Sequence, residues 1–436
     1  MLHIDHPSVR NRIFSCGVGL EKENLRVTTE GRMSHIPHPF PSEKHIVRDF
    51  CENQVEINTE VAASPEEAVH LLEGYDRHVK DVLSRLPGKE ILWPFSNPPL
   101  IRNNEDIPIA QFYGPEYGKT LYREYLSDRY GRYKMTFCGI HFNYSFGDDL
   151  LREDFALSGY SDFREYKDNL YLKLARACAV YSWIIVAITA ASPLHDGSFV
   201  KKDAAYETVF NGMASSRCSE LGYWNYFTPV MNYKTVKDYV KSIQDYVDMG
   251  LLRYPSELYY PIRLKPRGSY DLDRLLNEGV DHIELRMIDL NPLTECGIDV
   301  RDARFIQLFL IWAASIPEGH WDIAEQVYST QNFKNAAHFD LKTVRIILPN
   351  GLFKQDPPEE GLQTVSLAVA GLKVLEAIEK FYSDYPDDVL EVIRFEKEKF
   401  IDIEKRYSWQ VLKEYGDDYV KKGLEKAASL SGISVP

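Results

Sequence analysis

The 436-residue sequence has no CxxC pair among its six cysteines, no run of basic residues and no long linker rich in Gly, Ser or Pro. Scattered cysteines argue against a disulfide framework or a cysteine-based zinc site, and they favour reduced thiols. The net charge of −14 opposes binding of a polyanionic duplex. We therefore predict no nucleic-acid partner.

The sequence also shows neither the pattern of a secretory signal nor that of a membrane span. The first residues, MLHIDHPSVR, carry Asp5 and Pro7 where a signal peptide needs an apolar stretch. The uncharged segment 177–194 is only at the lower limit of spanning length, and it continues an amphipathic pattern that begins near Ser161. This favours a buried helix, so we expect no membrane partner and a cytoplasmic location.

No internal repeat divides the chain, so a single body over residues 1–436 is expected. Alternating segments predict strands at 17–27, 54–59, 91–95, 134–146, 257–264 and 282–289. Helical patterns lie at 65–86, 120–130, 161–191, 235–249 and 300–314. The irregular intervals favour an antiparallel or mixed sheet with helical insertions over a βαβ repeat. Charged helical segments from about Pro358 predict that a core, 1–318, carries a helical subdomain, 319–436.

Carboxylates recur on one face of the first long strand. In GLEKENLRV, Glu21 and Glu23 point the same way because side chains alternate along a strand. Such carboxylates repel each other and raise each other's pKa, and a Mg²⁺ or Mn²⁺ ion between them relieves the repulsion. The alternative is a solvated outer face of the sheet.

Three further segments alternate in the same way. In DFCENQVEIN, TFCGIHFNYSF and DHIELRMIDLNP, the aligned polar residues are Glu52, Gln54 and Glu56 after Asp49, then His141 and Asn143, then Glu284 and Arg286. A histidine between aromatic neighbours is alternatively a core or edge residue with satisfied hydrogen bonds. Taken separately, each segment is weak support for a functional site.

Together these strands predict a sheet face that holds divalent ions and, through them, the phosphates of ATP. The chain has no Walker or GxGxxG loop. Candidate cations that would neutralise a transferred phosphoryl group are Arg123, Arg217, Arg263, Lys265 and Arg286. We assign Arg263 and Lys265 to nucleotide binding. Taken together, the acidic strand faces and the candidate cations predict phosphoryl transfer without a P-loop.

The segments resemble bacterial glutamate-cysteine ligase (γ-glutamylcysteine synthetase), both the stand-alone enzyme and the ligase half of bifunctional glutathione synthases. The resemblance runs from about Gly17 to Ala314 and includes GLEKENLRV, DFCENQVEIN, LYREYLSDRYG, CGIHFNYSF, SSRCSELGYWN, ELYYPIRLK and HIELRMIDLNP. We expect the chain to lack the ATP-grasp half of the bifunctional enzymes.

The resemblance implies an α+β fold, in which a glutamine-synthetase-like, mainly antiparallel sheet curves into a funnel surrounded by helices. It implies Mg²⁺ or Mn²⁺ as cofactor and ATP as co-substrate. The implied metal ligands are Glu21, Glu23, Asp49, Glu56, His141 and Glu284. The implied catalytic cations are Arg286 and Arg123, facing phosphate, and Arg217, near the substrate carboxylates. The implied cysteine pocket contains Phe50, Tyr122, Leu126 and Tyr223.

The departures from the family pattern lie in the acceptor pocket. Met135 stands where the family usually has Gln, and Phe137, Cys138 and Gly139 replace Ile-Ser-Gly. A polar-to-apolar change at Met135 would alter how the acceptor's thiol or carboxylate is held. We therefore include Met135 in the predicted substrate pocket. The segment after Lys265 is also shorter than in the stand-alone enzymes.

The sequence predicts ATP-dependent ligation of the γ-carboxylate of L-glutamate to the amine of L-cysteine through γ-glutamyl phosphate, the first step of glutathione biosynthesis. The covalent intermediate forms on the substrate, so none of the six cysteines is needed as a nucleophile. Two alternatives stay open: a γ-glutamyl ligase with another amine or amino-acid acceptor, and a non-catalytic protein that binds a nucleotide or amino acid. The paired carboxylates argue against the latter. The sequence does not indicate an oligomeric state.

Overall fold

A central antiparallel sheet organises the computed structural model, which describes residues 2–319, 321–348 and 363–434. The strands are β1 (Cys16–Val27), β2 (Ile46–Arg48), β3 (Gln54–Asn58), β4 (Ile91–Leu92), β5 (Ile140–Phe146), β6 (Leu194–Asp196), β7 (Thr208–Phe210), β8 (Ile262–Lys265), β9 (His282–Ile288), β10 (Arg345–Ile347) and β11 (Thr364–Ser366). The sheet order is β2–β3–β1–β5–β9–β8, and β4 pairs with the end of β1.

Helices surround this sheet. They are α1 (Pro7–Arg10), α2 (Pro65–Arg85), α3 (Tyr117–Tyr130), α4 (Asp148–Ser158), α5 (Phe163–Tyr181), α6 (Trp183–Thr189), α7 (Val236–Asp248), α8 (Leu272–Glu278), α9 (Val300–Ser315), α10 (Ile323–Ala336), α11 (Leu367–Phe381), α12 (Asp387–Ile401), α13 (Tyr407–Tyr415) and α14 (Tyr419–Ser431). Local sequence explains several starts. The Ser64 side chain caps α2 ahead of Pro65, and Thr235 caps α7.

The two faces of the sheet have different surroundings. Helices α2, α5 and α6 contact strands of the sheet from the side on which Leu20, Phe142 and Leu285 are buried. Lys22 also lies on this side, where it forms an ion pair with Asp76 of α2. By alternation, the opposite face of the same strands carries the carboxylates and the histidine that the sequence singled out.

Three predicted elements differ from the structure. Residues Tyr133–Thr136 form a 3₁₀ turn instead of the start of β5, because Met135 N donates to Arg132 O. Pro255–Glu257 also form a 3₁₀ turn, so β8 begins later than predicted. The long helix predicted over 161–191 is divided into α5 and α6, with a 56° bend at Ser182. Ile185 N donates to Ser182 O, which tightens the chain locally.

No single helix in the described ranges is both long and apolar enough to cross a bilayer. The pair α5 and α6 passes that test only when the two bent helices are taken together. Every residue of α6 is buried within the protein.

The C-terminal helices pack on helices that lie earlier in the chain. Helix α10 contacts α5 and α6, α11 and α12 contact α9, and α14 contacts α2. The predicted start of this region, near Pro358, lies outside the described residues.

A buried ammonium joins the C-terminal helices to the helices that lie earlier in the chain. Lys399 Nζ of α12 lies 2.8 Å from Asp302 of α9 and 2.7 Å from Glu396, and it donates to Ile188 O of α6.

We expect Lys399→Ala to lower the free energy of unfolding by about 3–5 kcal/mol, because it leaves two buried carboxylates without their cation. Lys397→Ala is the matched control. Its ammonium pairs with Glu379 at 2.6 Å on a partly exposed surface, so a loss of about 0–1 kcal/mol is expected. Urea unfolding measures both. Equal losses for the two variants would contradict the structural role of Lys399.

Candidate active site

The polar side chains of four neighbouring strands meet on one face of the sheet. Backbone register places Glu21 of β1 opposite His141 of β5, and Glu23 opposite Glu56 of β3. Adjacent strands are about 4.8 Å apart, so aligned side chains are within contact distance of each other. The pairing of β5 with β9 is irregular between Ile140 and Phe142, beside His141. The register thus brings together residues far apart in sequence.

The tightest group consists of Glu21, His141 and Glu284, whose candidate ligand atoms all lie within 4.8 Å of one another. His141 Nδ1 is 3.1 Å from Glu21 Oε2 and 3.9 Å from Glu284 Oε1. His141 Nε2 is 3.8 Å from Glu23 Oε1. Asn143 donates to Glu21 Oε1 at 3.0 Å. Three strands therefore supply one compact acidic cluster.

Three cations surround the fully buried Glu284. Arg286 Nη1 lies 3.0 Å from Glu284 Oε1, Lys265 Nζ 3.4 Å from the same oxygen, and Arg263 Nη1 3.6 Å from Oε2. Lys265 Nζ is also 3.5 Å from Glu21. Burial raises the pKa of Glu284, but these cations outweigh it and hold the pKa well below its usual value. Glu284 is therefore a carboxylate at neutral pH.

A second acidic group has few cations close to it. Burial and the nearby Asp49 carboxylate raise the pKa of Glu23 to about 8, and the same two causes raise the pKa of Glu56 well above its usual value. Arg123 Nε donates to the backbone oxygen of Asp49 at 2.6 Å, and its guanidinium lies over the Phe112 ring. Glu23 and Glu56 thus need a proton or a metal cation to balance their charge.

The cluster fits a hard divalent cation. Oxygens Oε2 of Glu23 and Glu284 and Oδ1 of Asn143 are buried without a hydrogen-bond partner within the described part of the chain. Burial and Arg286 lower the pKa of His141 to about 4, so its imidazole is neutral, the form that binds metals. An oxygen-rich set with one imidazole suits Mg²⁺ or Mn²⁺.

A cavity lies next to this cluster. Arg217 and Arg286 line it together with Tyr223, Trp224 and Tyr259. The Arg217 guanidinium lies against Gly139, where any side chain would overlap it. The cavity therefore places the buried guanidinium of Arg217, the partly buried guanidinium of Arg286 and several aromatic rings beside the acidic face.

The predicted substrate pocket is only partly assembled around this cavity. Tyr223 lines it and packs edge-on against Tyr259, with ring centroids 4.7 Å apart. Tyr122 instead packs edge-on against Tyr254 at 5.1 Å, and its hydroxyl accepts a hydrogen bond from Ser256 at 3.5 Å. The other three members, Phe50, Leu126 and Met135, are buried in the hydrophobic core. Among the described residues lining the cavity, Tyr223 alone belongs to the predicted pocket.

Sequence reasoning missed four aromatic residues of the cavity. Tyr259, Tyr260 and Trp224 lie within ELYYPIRLK and SSRCSELGYWN, the segments that carried the resemblance, but no spacing distinguished them from core aromatics. Phe333 of α10 lies beyond Ala314, where the resemblance ends. It packs edge-on against Trp224 at 5.6 Å. A helix beyond the motif region therefore helps to close the site.

Comparisons with known proteins agree with this geometry. The family model for glutamate-cysteine ligase matches residues 2–254 and 244–336. This chain belongs to the glutamate-cysteine ligase family. It is 32% identical over 425 residues to the bifunctional glutathione biosynthesis protein of Listeria welshimeri, covering 93% of this chain and 53% of that protein. The corresponding Listeria innocua protein is 32% identical over 442 residues, covering 97% and 55%. The chain thus spans about half the length of these relatives.

Solved structures show the same fold. Glutamate-cysteine ligase from Francisella tularensis, in complex with AMP, has a TM-score of 0.82 at 24% identity, covering 96% of this chain and 88% of that one. A bifunctional glutathione synthetase from Pasteurella multocida has a TM-score of 0.79 at 25% identity, covering 99% and 54%. The predicted family and the predicted α+β fold, an antiparallel sheet surrounded by helices, are confirmed.

We expect the protein to bind Mn²⁺ without nucleotide, and Glu284→Gln to weaken that binding at least about tenfold, because one charged ligand is lost from the cluster. Electron paramagnetic resonance of free Mn²⁺ measures binding without turnover. Glu60→Gln, which removes an exposed carboxylate, should leave the Kd unchanged. Equal Mn²⁺ affinity in wild type and Glu284→Gln would remove Glu284 from the metal site.

Proposed function

We propose that the protein uses ATP to join the γ-carboxylate of L-glutamate to the amine of L-cysteine, releasing ADP and phosphate. The observation that carries this proposal is the sheet face on which Glu21, His141 and Glu284 meet Lys265 and Arg286. Side chains that can bind a metal ion lie there next to cations that can bind phosphate. Membership of the ligase family supports the same chemistry.

The reaction proceeds by two transfers. A γ-carboxylate oxygen of glutamate attacks the terminal phosphorus of ATP, and ADP leaves. The acceptor amine then attacks the acyl carbon, loses a proton, and phosphate leaves. A bound Mg²⁺ or Mn²⁺, held by Glu21, His141 and Glu284 with Glu23 beside them, supplies Lewis-acid charge to the phosphate oxygens.

The chain's own cations stabilise the charge that moves between substrates. Arg286 lines the cavity and contacts Glu284, so its planar fork lies at the border between the acidic cluster and the substrate space. Lys265 and Arg263 extend the same positive edge along β8. Arg217 has no carboxylate within 4.0 Å among the described residues, which leaves its guanidinium available for a substrate carboxylate. Aromatic rings around Arg217 and Arg286 limit the access of water.

One observation favours a second candidate for the acceptor amine. Met135 stands in place of the usual amide and is buried in the hydrophobic core, outside the lining of the cavity, so no amide from this position reaches the acceptor. An apolar pocket separates SH from CH₃ by only about 1–3 kcal/mol. The second candidate is therefore the same γ-glutamyl ligase acting on a small amino acid without a thiol. A purely binding function would leave the paired buried carboxylates without a chemical role.

We also propose a cellular location and a division of the chain. We place the protein in the cytoplasm, where ATP and thiol amino acids are available. Residues 1–318 would form the ligase core, and 319–436 a helical subdomain. The family model matches as far as residue 336, the last residue of α10.

Arg286→Lys should lower kcat by roughly 10²-fold or more, because an ammonium cannot hold two phosphoryl oxygens as a planar guanidinium does. Steady-state ADP release gives kcat and the KM for ATP. The control Arg274→Lys changes a guanidinium that grips Glu278 through two bonds on α8, outside the site, and should keep wild-type kinetics. A higher KM for ATP with unchanged kcat would mean that Arg286 serves ground-state binding.

With ATP, Mg²⁺ and glutamate, we expect ADP release to depend on L-cysteine or 2-aminobutyrate, with weak discrimination between them. If the predicted pocket around Met135 receives the acceptor, Met135→Gln should sharpen the preference for cysteine, because an amide there would add a polar partner. Met249→Gln, at a residue 70% exposed, is the control and should change nothing. ADP release with bulky or cationic amines only would reject cysteine as the acceptor and keep the ligase chemistry.

A further inference from the structure

A buried aspartate lies directly after β9, outside the predicted set of site residues. Asp289 is 1% exposed, and its carboxylate accepts three hydrogen bonds. Oδ2 accepts from Ala191 N at 3.0 Å and from Ser192 Oγ at 2.7 Å, and Oδ1 accepts from Ser215 Oγ at 2.9 Å. Within the described part of the chain no cationic side chain lies within 4.0 Å of it. Uncharged donors alone therefore hold this carboxylate.

The two serines bound to Asp289 also hold the turn that carries Arg217. Ser215 Oγ accepts a hydrogen bond from Cys218 N at 3.1 Å, on the C-terminal side of Arg217. Ser192 Oγ accepts from Ser216 N at 3.1 Å, on the N-terminal side. Both hydroxyls donate to Asp289, so their lone pairs are directed at the turn. The carboxylate thus sets the orientation of the two groups that fix the backbone on either side of Arg217.

The Arg217 side chain depends on this backbone because it has little else to hold it. It is 7% exposed, its Nε has no hydrogen-bond partner among the described residues, and no carboxylate lies within 4.0 Å. Burial opposes its charge, and the more distant carboxylates of Glu23 and Asp289 help to keep it ionised. A small rotation of the turn would move the guanidinium off Gly139 and out of its place in the cavity.

We propose that Asp289 is the positioning residue for Arg217: through Ser192 and Ser215 it fixes the turn that presents the guanidinium to the substrate. This inference rests on the proposed function, in which Arg217 binds a carboxylate of the amino-acid substrate. Asp289 touches no reacting atom. It connects the end of β9, which carries Glu284 and Arg286, to the loop that carries the third arginine of the site.

Asp289→Asn is the direct test because it keeps the shape of the side chain. An amide offers one oxygen and directs an NH₂ group at donors that need an acceptor, so at least one of the three bonds is lost. We expect the KM for glutamate to rise about tenfold or more, while the KM for ATP stays within about twofold of wild type. Ser215→Ala, which removes one of the two linking hydroxyls, should shift the same KM in the same direction.

Asp154→Asn is the matched control for the loss of a buried carboxylate. Asp154 of α4 is also fully buried and accepts bonds from His3 N at 2.6 Å and from Tyr166 Oη at 2.7 Å, neither of which belongs to the site. It should destabilise the fold without a selective change in the KM for glutamate. An equal rise in that KM for Asp154→Asn and Asp289→Asn would reduce Asp289 to a general stabilising role and overturn the proposal.

A double-mutant cycle tests whether Asp289 acts through Arg217. In an Arg217→Ala background, Asp289→Asn should raise the KM for glutamate no further, because the group being positioned is gone. A full, additive effect in that background would overturn the proposal.

Chemical labelling separates this proposal from the ligase function. The rate at which phenylglyoxal modifies Arg217, followed by peptide mass spectrometry, should rise severalfold in Asp289→Asn and Ser215→Ala but not in Asp154→Asn. If the wild type lacks ligase activity while this labelling pattern appears, the function fails and the positioning stands. If ligase activity is present and labelling of Arg217 is unchanged, the positioning role is wrong.

Discussion

Repulsion between carboxylates on one buried sheet face is the constraint on which the site depends. Glu21, Glu23, Glu56 and Glu284 come from three strands; Glu23 and Glu284 are buried, and Glu21 and Glu56 are partly buried. Arg286, Arg263 and Lys265 hold down the pKa of Glu284. Against burial and the Glu284 charge, a hydrogen bond from His141 and the Lys265 ammonium lower the pKa of Glu21, whereas burial and Asp49 raise the pKa values of Glu23 and Glu56. The face thus carries more carboxylate charge than its own cations balance, and a divalent cation held by Glu21, His141 and Glu284, with Glu23 beside them, would supply the rest.

The packing on the reverse side of the sheet also depends on the buried charges of β1. Strand β1 carries carboxylates on one face and Lys22 on the other, so it is polar on both sides and buried on both. The ion pairs of Asp76 with Lys22 and Lys80 keep the reverse side neutral, and α2 supplies that aspartate. Buried pairs of this kind contribute little net stability, but removing one partner is costly. Their role here is to allow a charged strand to pass through the interior.

Much of this arrangement could be predicted from alternation within single strands. The pattern in GLEKENLRV places Glu21 and Glu23 on one face, and the structure keeps them there. Sequence could not give the register between strands, because that depends on pairings more than a hundred residues apart and on the irregularity beside His141. The break at Ser182 was missed since an apolar run has the same pattern in one helix as in two. The role of Asp289 became visible only from its hydrogen bonds.

The proposed function requires that glutamate accepts a phosphoryl group in this site, and isotope exchange within ATP measures this step. ATP labelled with ¹⁸O in the β-nonbridging positions is incubated with the protein, Mg²⁺ and L-glutamate, without any amine. Reversible formation of γ-glutamyl phosphate would move the label into the β–γ bridge, because the released β-phosphate rotates before ATP re-forms. We predict this scrambling with glutamate, none without it, and its loss in Arg286→Lys. No scrambling with glutamate, in a protein that binds Mn²⁺ and ATP, would contradict the phosphoryl-transfer function and favour a binding role.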